Sequence, residues 1–204
     1  MIMRLIVLDI MKFKLQIVVF LLFCSFYNFS QTKNEKESRI KFNEFPKVAQ
    51  NYFKNTSTKL KRVKFYKESD GDKISFEAKF KYKKQHYSVE FYSNGVLEDI
   101  EILINKKNIP PKVLIAINHY FKTNFDKTRF IKIQKQFINS SQKNDYAFIQ
   151  HVIENSNEGY NNFEIIAEIK SNEKDLLKEF TFKSNGVFEK SRIVTSASYE
   201  HALY

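Results

Sequence analysis

The chain has one cysteine in 204 residues, Cys24. It sits in an apolar stretch read below as a removed leader. The remainder then has no thiol, which excludes disulfides, a thiolate metal site and a cysteine nucleophile together. Histidines are also few: His86, His119, His151 and His201 lie in separate segments without metal-ligand spacing. No HExxH, Walker loop or nucleophile elbow occurs. Asp70-Gly71-Asp72 is a fragment of a calcium loop lacking the other ligands, so it reads as a turn. Glu98 and Glu189 fall at equivalent places in a repeated motif, which points to structure more than to acid–base chemistry. No catalytic residue, cofactor or metal ligand is expected, and the chain does not read as an enzyme. Three prolines and four glycines leave long uninterrupted, strand-friendly segments.

A long hydrophobic run is missing as well. Met11-Lys12-Phe13-Lys14 leads into the apolar Leu15 to Phe26, which falls short of the ~18 residues of a spanning helix. A positive start followed by a short apolar core is a secretory signal pattern. Residues 1–30 read as a signal peptide with cleavage after Ser30, an uncleaved anchor being the alternative. The true start is Met1 or Met11. Phe23 before Cys24 is too bulky for lipoprotein processing. The destination is periplasmic or secreted, with no permanent membrane span after cleavage.

The formal net charge is +11. Removing Arg4, Lys12, Lys14 and Asp9 with the leader leaves +9. Apolar residues at 43% and aromatics at 16% indicate a folded protein. The lysines spread through almost every segment. Aromatics interleaved with lysine could stack on single-stranded nucleic acid, but export and regular alternation assign them to sheet packing, so no nucleic acid is expected.

One ten-residue pattern occurs twice, as Val89-Glu90-Phe91-Tyr92-Ser93-Asn94-Gly95-Val96-Leu97-Glu98 and as Phe180-Thr181-Phe182-Lys183-Ser184-Asn185-Gly186-Val187-Phe188-Glu189. Asn-Gly between alternating apolar residues signals a hairpin. Around each copy the order is the same. Pro46 opens a helix at 46–54, followed by strands at 61–68, 74–82, 85–92 and 96–104. Pro110-Pro111 opens a helix at 110–122, followed by strands at 128–138, 146–153, 162–170, 175–183 and 187–195. The segment 139–161 reads as loops around a hairpin. Residues 31–44 read as a polar leader and 196–204 as a tail. The expected fold is α+β: two helix-plus-antiparallel-meander repeats, units 45–105 and 108–195, forming one sheet with helices on one face.

A two-residue Asn94-Gly95 turn sets Phe91 against Glu98, Val89 against Ile100, Tyr87 against Ile102, Tyr92 against Leu97, Glu90 against Asp99 and Ser88 against Glu101. The competing three-residue loop with a bulge exchanges the faces of the second strand. The first register places Glu90, Asp99 and Glu101 on an outer, open face. Thr181 with Lys190 and Glu179 with Arg192 take the matching places in the second hairpin.

The Pro-x-Val helix ending in Tyr-Phe, followed by a meander closing on Val89 to Leu97, resembles the PepSY-like proteins, whose fold is similar to the β-lactamase-inhibitor protein. The resemblance covers about 45–195, in two copies, and the leader resembles those of exported Bacteroidetes-type proteins. It implies a small exported binding module for a protein or peptide of the cell envelope, inhibitor-like by analogy of fold. Tyr92, Leu97, Lys183 and Phe188, beside the open face, are the expected contacts. The alternative is an envelope protein that binds anionic polymer or lipid headgroups through its basic surface.

Overall fold

The structure, a computed structural model, describes residues 32–56, 59–140, 144–171 and 174–195. The expected signal peptide and tail lie outside the described residues. Ten strands form one sheet: β1 (Thr32–Lys33), β2 (Glu35–Ile40), β3 (Lys61–Asp70), β4 (Lys73–Tyr82), β5 (Gln85–Tyr92), β6 (Leu97–Leu103), β7 (Lys127–Phe137), β8 (Asn162–Ser171), β9 (Lys174–Lys183) and β10 (Phe188–Val194). Their order is β1-β10-β9-β8-β7-β6-β5-β4-β3-β2. Every pairing is antiparallel except β1 on β10. The two edge strands are consecutive in sequence, separated by Asn34, so the sheet curls until its edges meet at a seam. Right-handed strand twist accumulates across many strands and favours such curling.

The seam corrects one expectation. Of the stretch 31–44 expected as a loose polar leader, residues 32–44 contain β1, β2 and a short 3-10 turn at Phe42–Glu44. Lys33 pairs with Val194 on one edge, and Glu35 pairs with Asp70 on the other. No apolar alternation marks this stretch, because the inner face it completes is polar.

Three helices cover the other face: α1 (Lys47–Asn55), α2 (Pro111–Asn124) and α3 (Asp145–Glu154). Pro46 and Pro110 take the N-cap positions of α1 and α2. α3 replaces the strand expected at 146–153. Phe148, Ile149, Val152 and Ile153 recur at helical spacing, and the Asn144 side chain caps the start by accepting from the Tyr146 N–H at 2.8 Å. Burial then locks the helix against the sheet. Ile149, Val152 and Ile153 join Phe45, Ala49, Phe80, Val89, Phe91, Ile100 and Phe137 in one core cluster. A second cluster sets Val113, Ile117 and Phe121 of α2 on Phe163, Ile165, Phe180 and Phe182. Each fully buried Phe stabilises by up to about 3 kcal/mol.

Both Asn-Gly turns are three-residue loops rather than the two-residue form. The Gly95 N–H donates to the Tyr92 carbonyl at 2.8 Å and the Tyr92 N–H to the Val96 carbonyl at 2.9 Å. Gly95 has φ +81, while Asn94 stays at negative φ, which a type I′ turn does not allow. Gly186 repeats the pattern with Lys183 and Val187. The extra residue is compensated one step on. Glu98 forms a bulge, so Phe91 faces Leu97 while Glu90 still faces Asp99, Ser88 faces Glu101 and Val89 faces Ile100. Glu189 does the same between Phe188 and Lys190. The expected pairs of Phe91 with Glu98 and Tyr92 with Leu97 are therefore corrected, and the pairs further along the hairpin stand.

Candidate functional site

With the apolar side chains facing the helices, the remaining side chains of the same strands face inward. Glu68, Glu77, Asp99, Glu101, Glu164, Glu179, Gln134, Ser75, Ser88 and Thr181 are all buried. Of these, Glu68, Glu77, Glu101 and Gln134 line a small polar cavity of about 40 Å³, together with Lys33, Glu35, Glu37, Lys79, Glu90 and Lys132. This overturns the open acidic face, because the carboxylates of Glu90, Asp99 and Glu101 sit inside the curled sheet. A cavity this size has room for a water or a small ion.

Buried carboxylates need partners. At the seam, Lys33 Nζ lies 2.8 Å from Glu179 Oε2, and Arg192 Nε lies 2.6 Å from Glu179 Oε1. Arg192 also reaches Asp70 at 3.3 Å. Burial works against ionised Glu179, but Lys33 and Arg192 outweigh it and hold the carboxyl down to about 2. Across the interior, Lys79 Nζ lies 2.5 Å from Glu37 and 2.9 Å from Glu77. Oxygens of Glu37, Glu68 and Glu77 lie within 4.8 Å of one another, an arrangement able to hold a cation, and Lys79 supplies that positive charge. Glu68, buried beside Glu77, is pushed up to about 10. Glu90, Asp99 and Glu164 are likewise raised, by burial first and then by neighbouring carboxylates. Asp99 accepts a bond from Gln136 at 2.8 Å through one oxygen and has no partner for the other.

Charge is therefore sorted. Six carboxylates are buried; Lys33, Lys79 and Arg192 reach in to pair with Glu179 and Glu77, and among the described residues Lys135 is the one cation whose whole side chain is buried. The outer surface is correspondingly more positive than the formal charge of the chain suggests. One concavity concentrates this charge. At the end of β5 and β6 and along β7, a cleft of about 750 Å³ is lined by Lys84, His86, Leu103, Lys106, Lys107, Phe130, Ile131, Lys132 and Lys135, with no carboxylate in its wall. His86 is held below its ordinary value by burial and by the nearby cations Lys81 and Arg62.

The chain is similar to DUF2874-family and BLIP-like proteins of Bacteroides. A DUF2874 family protein from Bacteroides ovatus is 15% identical, with a TM-score of 0.49 over 72% of this chain and 86% of that chain. A BLIP-like protein from Bacteroides fragilis is 14% identical, with a TM-score of 0.46 over 73% and 86%. A Bacteroides eggerthii protein, provisionally described as periplasmic, is 10% identical, with a TM-score of 0.48 over 72% and 88%. No family model and no curated protein matches the sequence. Among the described residues, no helix is long and apolar enough to cross a membrane.

The four expected contact residues separate into two kinds. Leu97 is 5% exposed, and its N–H donates to Asp145 Oδ2 of α3 at 3.1 Å. Phe188 is half-buried and stacks on Tyr120 at 4.4 Å. The bulges at Glu98 and Glu189 turn both toward the helices. Tyr92 is 44% exposed and Lys183 is exposed, at the bases of the two turns. The cleft lysines escaped the sequence reading because they come from three distant segments. Sequence alone offered a single hint, the Lys83-Lys84 pair standing where a turn former would be expected between β4 and β5.

Proposed function

We propose that this is an exported, non-enzymatic envelope protein of PepSY-like, duplicated build that binds an anionic polymer or lipid headgroup through its basic exterior. The observation that carries the reading is the charge sorting. Acidic side chains are consumed inside the curled sheet, and a concave lysine-lined wall without carboxylates is left outside. Such a surface raises the local concentration of anions and speeds their association. The signal pattern at 11–30 supports export. The two hairpins, each with a three-residue loop, a glutamate bulge and a glycine seated on a helix, support the duplication.

Salt dependence tests this. Binding to vesicles of phosphatidylglycerol in phosphatidylcholine, and to long-chain polyphosphate, is expected to fall steeply between about 50 and about 300 mM salt, with no binding to phosphatidylcholine alone. Equal binding to neutral and anionic vesicles would contradict it.

A second reading, recognition of a protein or peptide, is favoured by Tyr92 and Lys183. Both remain exposed next to Val96 and Val187, two apolar side chains also open to solvent. Binding that persists at high salt and is lost in Tyr92→Ala with Lys183→Ala would favour it.

A further inference from the structure

We infer that the cleft formed by β5, β6, β7 and the 3-10 turn at Lys106–Asn108 is a specific site for a phosphate-bearing ligand. The inference rests on the anionic reading above and adds a place and a chemical class.

Three independent features mark the cleft. Lys84, Lys106, Lys107, Lys132 and Lys135 line it, and none of them forms an ion pair with a described carboxylate. Elsewhere in the fold Lys33, Lys73, Lys79, Arg129 and Arg192 each hold an acid. Lys132 also reaches the acidic cavity inside the sheet, whereas Lys84, Lys106, Lys107 and Lys135 converge here with no carboxylate in the wall of the cleft.

The second feature is backbone strain. Tyr82 pairs with Gln85, so the turn joining β4 to β5 consists of Lys83 and Lys84 alone. Both have positive φ, +44 and +68. A tight hairpin of this kind calls for Asn and Gly, because Cβ crowds the backbone in the left-handed region. Lys84, held in that conformation at a cost in stability, lines the lip of the cleft, while the Lys83 ammonium lies over the Tyr82 ring, 5.1 Å from its centroid. Among the described residues the one other non-glycine residue at positive φ is Arg62, at +56, so two consecutive strained residues occur in this turn alone, and such strain points to a function to be tested.

The third is Lys135. It is 5% exposed, yet among the described residues its ammonium meets the carbonyls of Ser156 and Asn157, at 3.4 and 3.5 Å, and the Tyr160 ring at 4.7 Å, and no carboxylate. These long contacts leave a nearly buried cation without a charged partner, on the wall of the cleft. An anion in the cleft would supply it.

Phosphate suits the lining: lysine is a compact point charge with three donors and a common phosphate binder, and several lysines together match the multiple charge of a phosphate group. The volume of about 750 Å³ falls within the usual range of small-ligand sites. Leu103, 42% exposed, and Phe130, with the Lys106 ammonium 4.6 Å from its ring, give the cleft an apolar border suited to a phosphate carried on a larger molecule.

The test compares two probes, inorganic pyrophosphate and vesicles of phosphatidic acid in phosphatidylcholine, on the full exported chain. Lys106→Glu with Lys107→Glu is expected to weaken the bound probe at least about tenfold. Lys36→Glu with Lys47→Glu, the same change of charge at the opposite end of the strands, is expected to weaken it less than about threefold. Lys84→Gly is expected to raise the melting temperature while weakening binding, which a purely structural lysine would not do. Binding of pyrophosphate identifies a soluble phosphate compound as the class, and binding of vesicles alone identifies a lipid headgroup; either supports the site when it depends on the cleft. Equal losses from the two reversals would overturn the site and leave the general anionic reading standing. Failure of the unaltered protein to bind either probe or polyphosphate would overturn both.

Discussion

Glu68 donates a hydrogen bond to Glu77 inside the curled sheet, the first held protonated and the second held ionised. The arrangement follows from burial. Desolvation and the Glu77 charge push Glu68 up to about 10, while Lys79, Glu68 and Ser88 together overcome the burial of Glu77 and lower it.

Stability is expected to peak in mildly acid solution. A carboxyl whose folded value is raised contributes stability that is present below its unfolded value, near ~4.3, and is lost as pH rises toward the folded value. Glu68 does this up to about 10, and Glu90, Asp99 and Glu164 act in the same direction. Glu179, held at about 2, contributes stability above ~4.3 that is lost as pH falls through its folded value. The melting temperature followed by circular dichroism should have a maximum at about pH 4 to 5 and decline on both sides. Glu68→Gln keeps a donor toward Glu77 and should raise stability at alkaline pH by about 1 kcal/mol, flattening the alkaline decline. A curve that rises steadily from acid to alkaline pH would contradict this balance.

The seam depends on a buried ion network. Lys33→Met removes one of two cations from a Glu179 carboxylate that has nowhere to go, and should cost about 3 kcal/mol in urea unfolding. Lys33→Met combined with Glu179→Leu, which removes the stranded charge, should lose less than the single variant. An additive loss would show that the pair does not act together.

The glycines of the two kinds of turn should differ. A Cβ at Gly95 would meet Val48 Cβ at 3.0 Å, Pro46 Cβ at 3.2 Å and the Ala49 backbone N at 3.3 Å, on top of a φ of +81. Gly71, φ +60, has open space. Gly71→Ala should therefore cost about 1 kcal/mol and Gly95→Ala about 3 kcal/mol. Similar costs at the two sites would mean that the hairpin tip does not rest on α1 as described.

Much of the sheet was legible in the amino-acid pattern. Phe76, Ala78 and Phe80 alternate because one side of β4 packs on apolar neighbours and the other faces a polar interior, and that asymmetry leaves a period of two. The same logic hid β2, where the alternates of Glu35, Glu37 and Arg39 are Lys36, Ser38 and a single apolar residue, Ile40. α3 was masked by the expected repeat, although Phe148, Ile149, Val152 and Ile153 carried its period. The curling of the sheet, which turned an open acidic face into an interior, is a sum of small twists and leaves no local mark. The cleft is likewise a product of topology, since Lys84, Lys106 and Lys135 meet only once β5, β6 and β7 lie side by side.

The most direct measurement is a site-resolved titration of the isotope-labelled protein with inorganic pyrophosphate, read from backbone amide shifts. The account predicts saturable shifts concentrated at residues 84–86, 103–108, 130–135 and 157, the wall of the cleft. Shifts spread evenly over exposed lysines, or confined to the turns at Gly95 and Gly186, would contradict it.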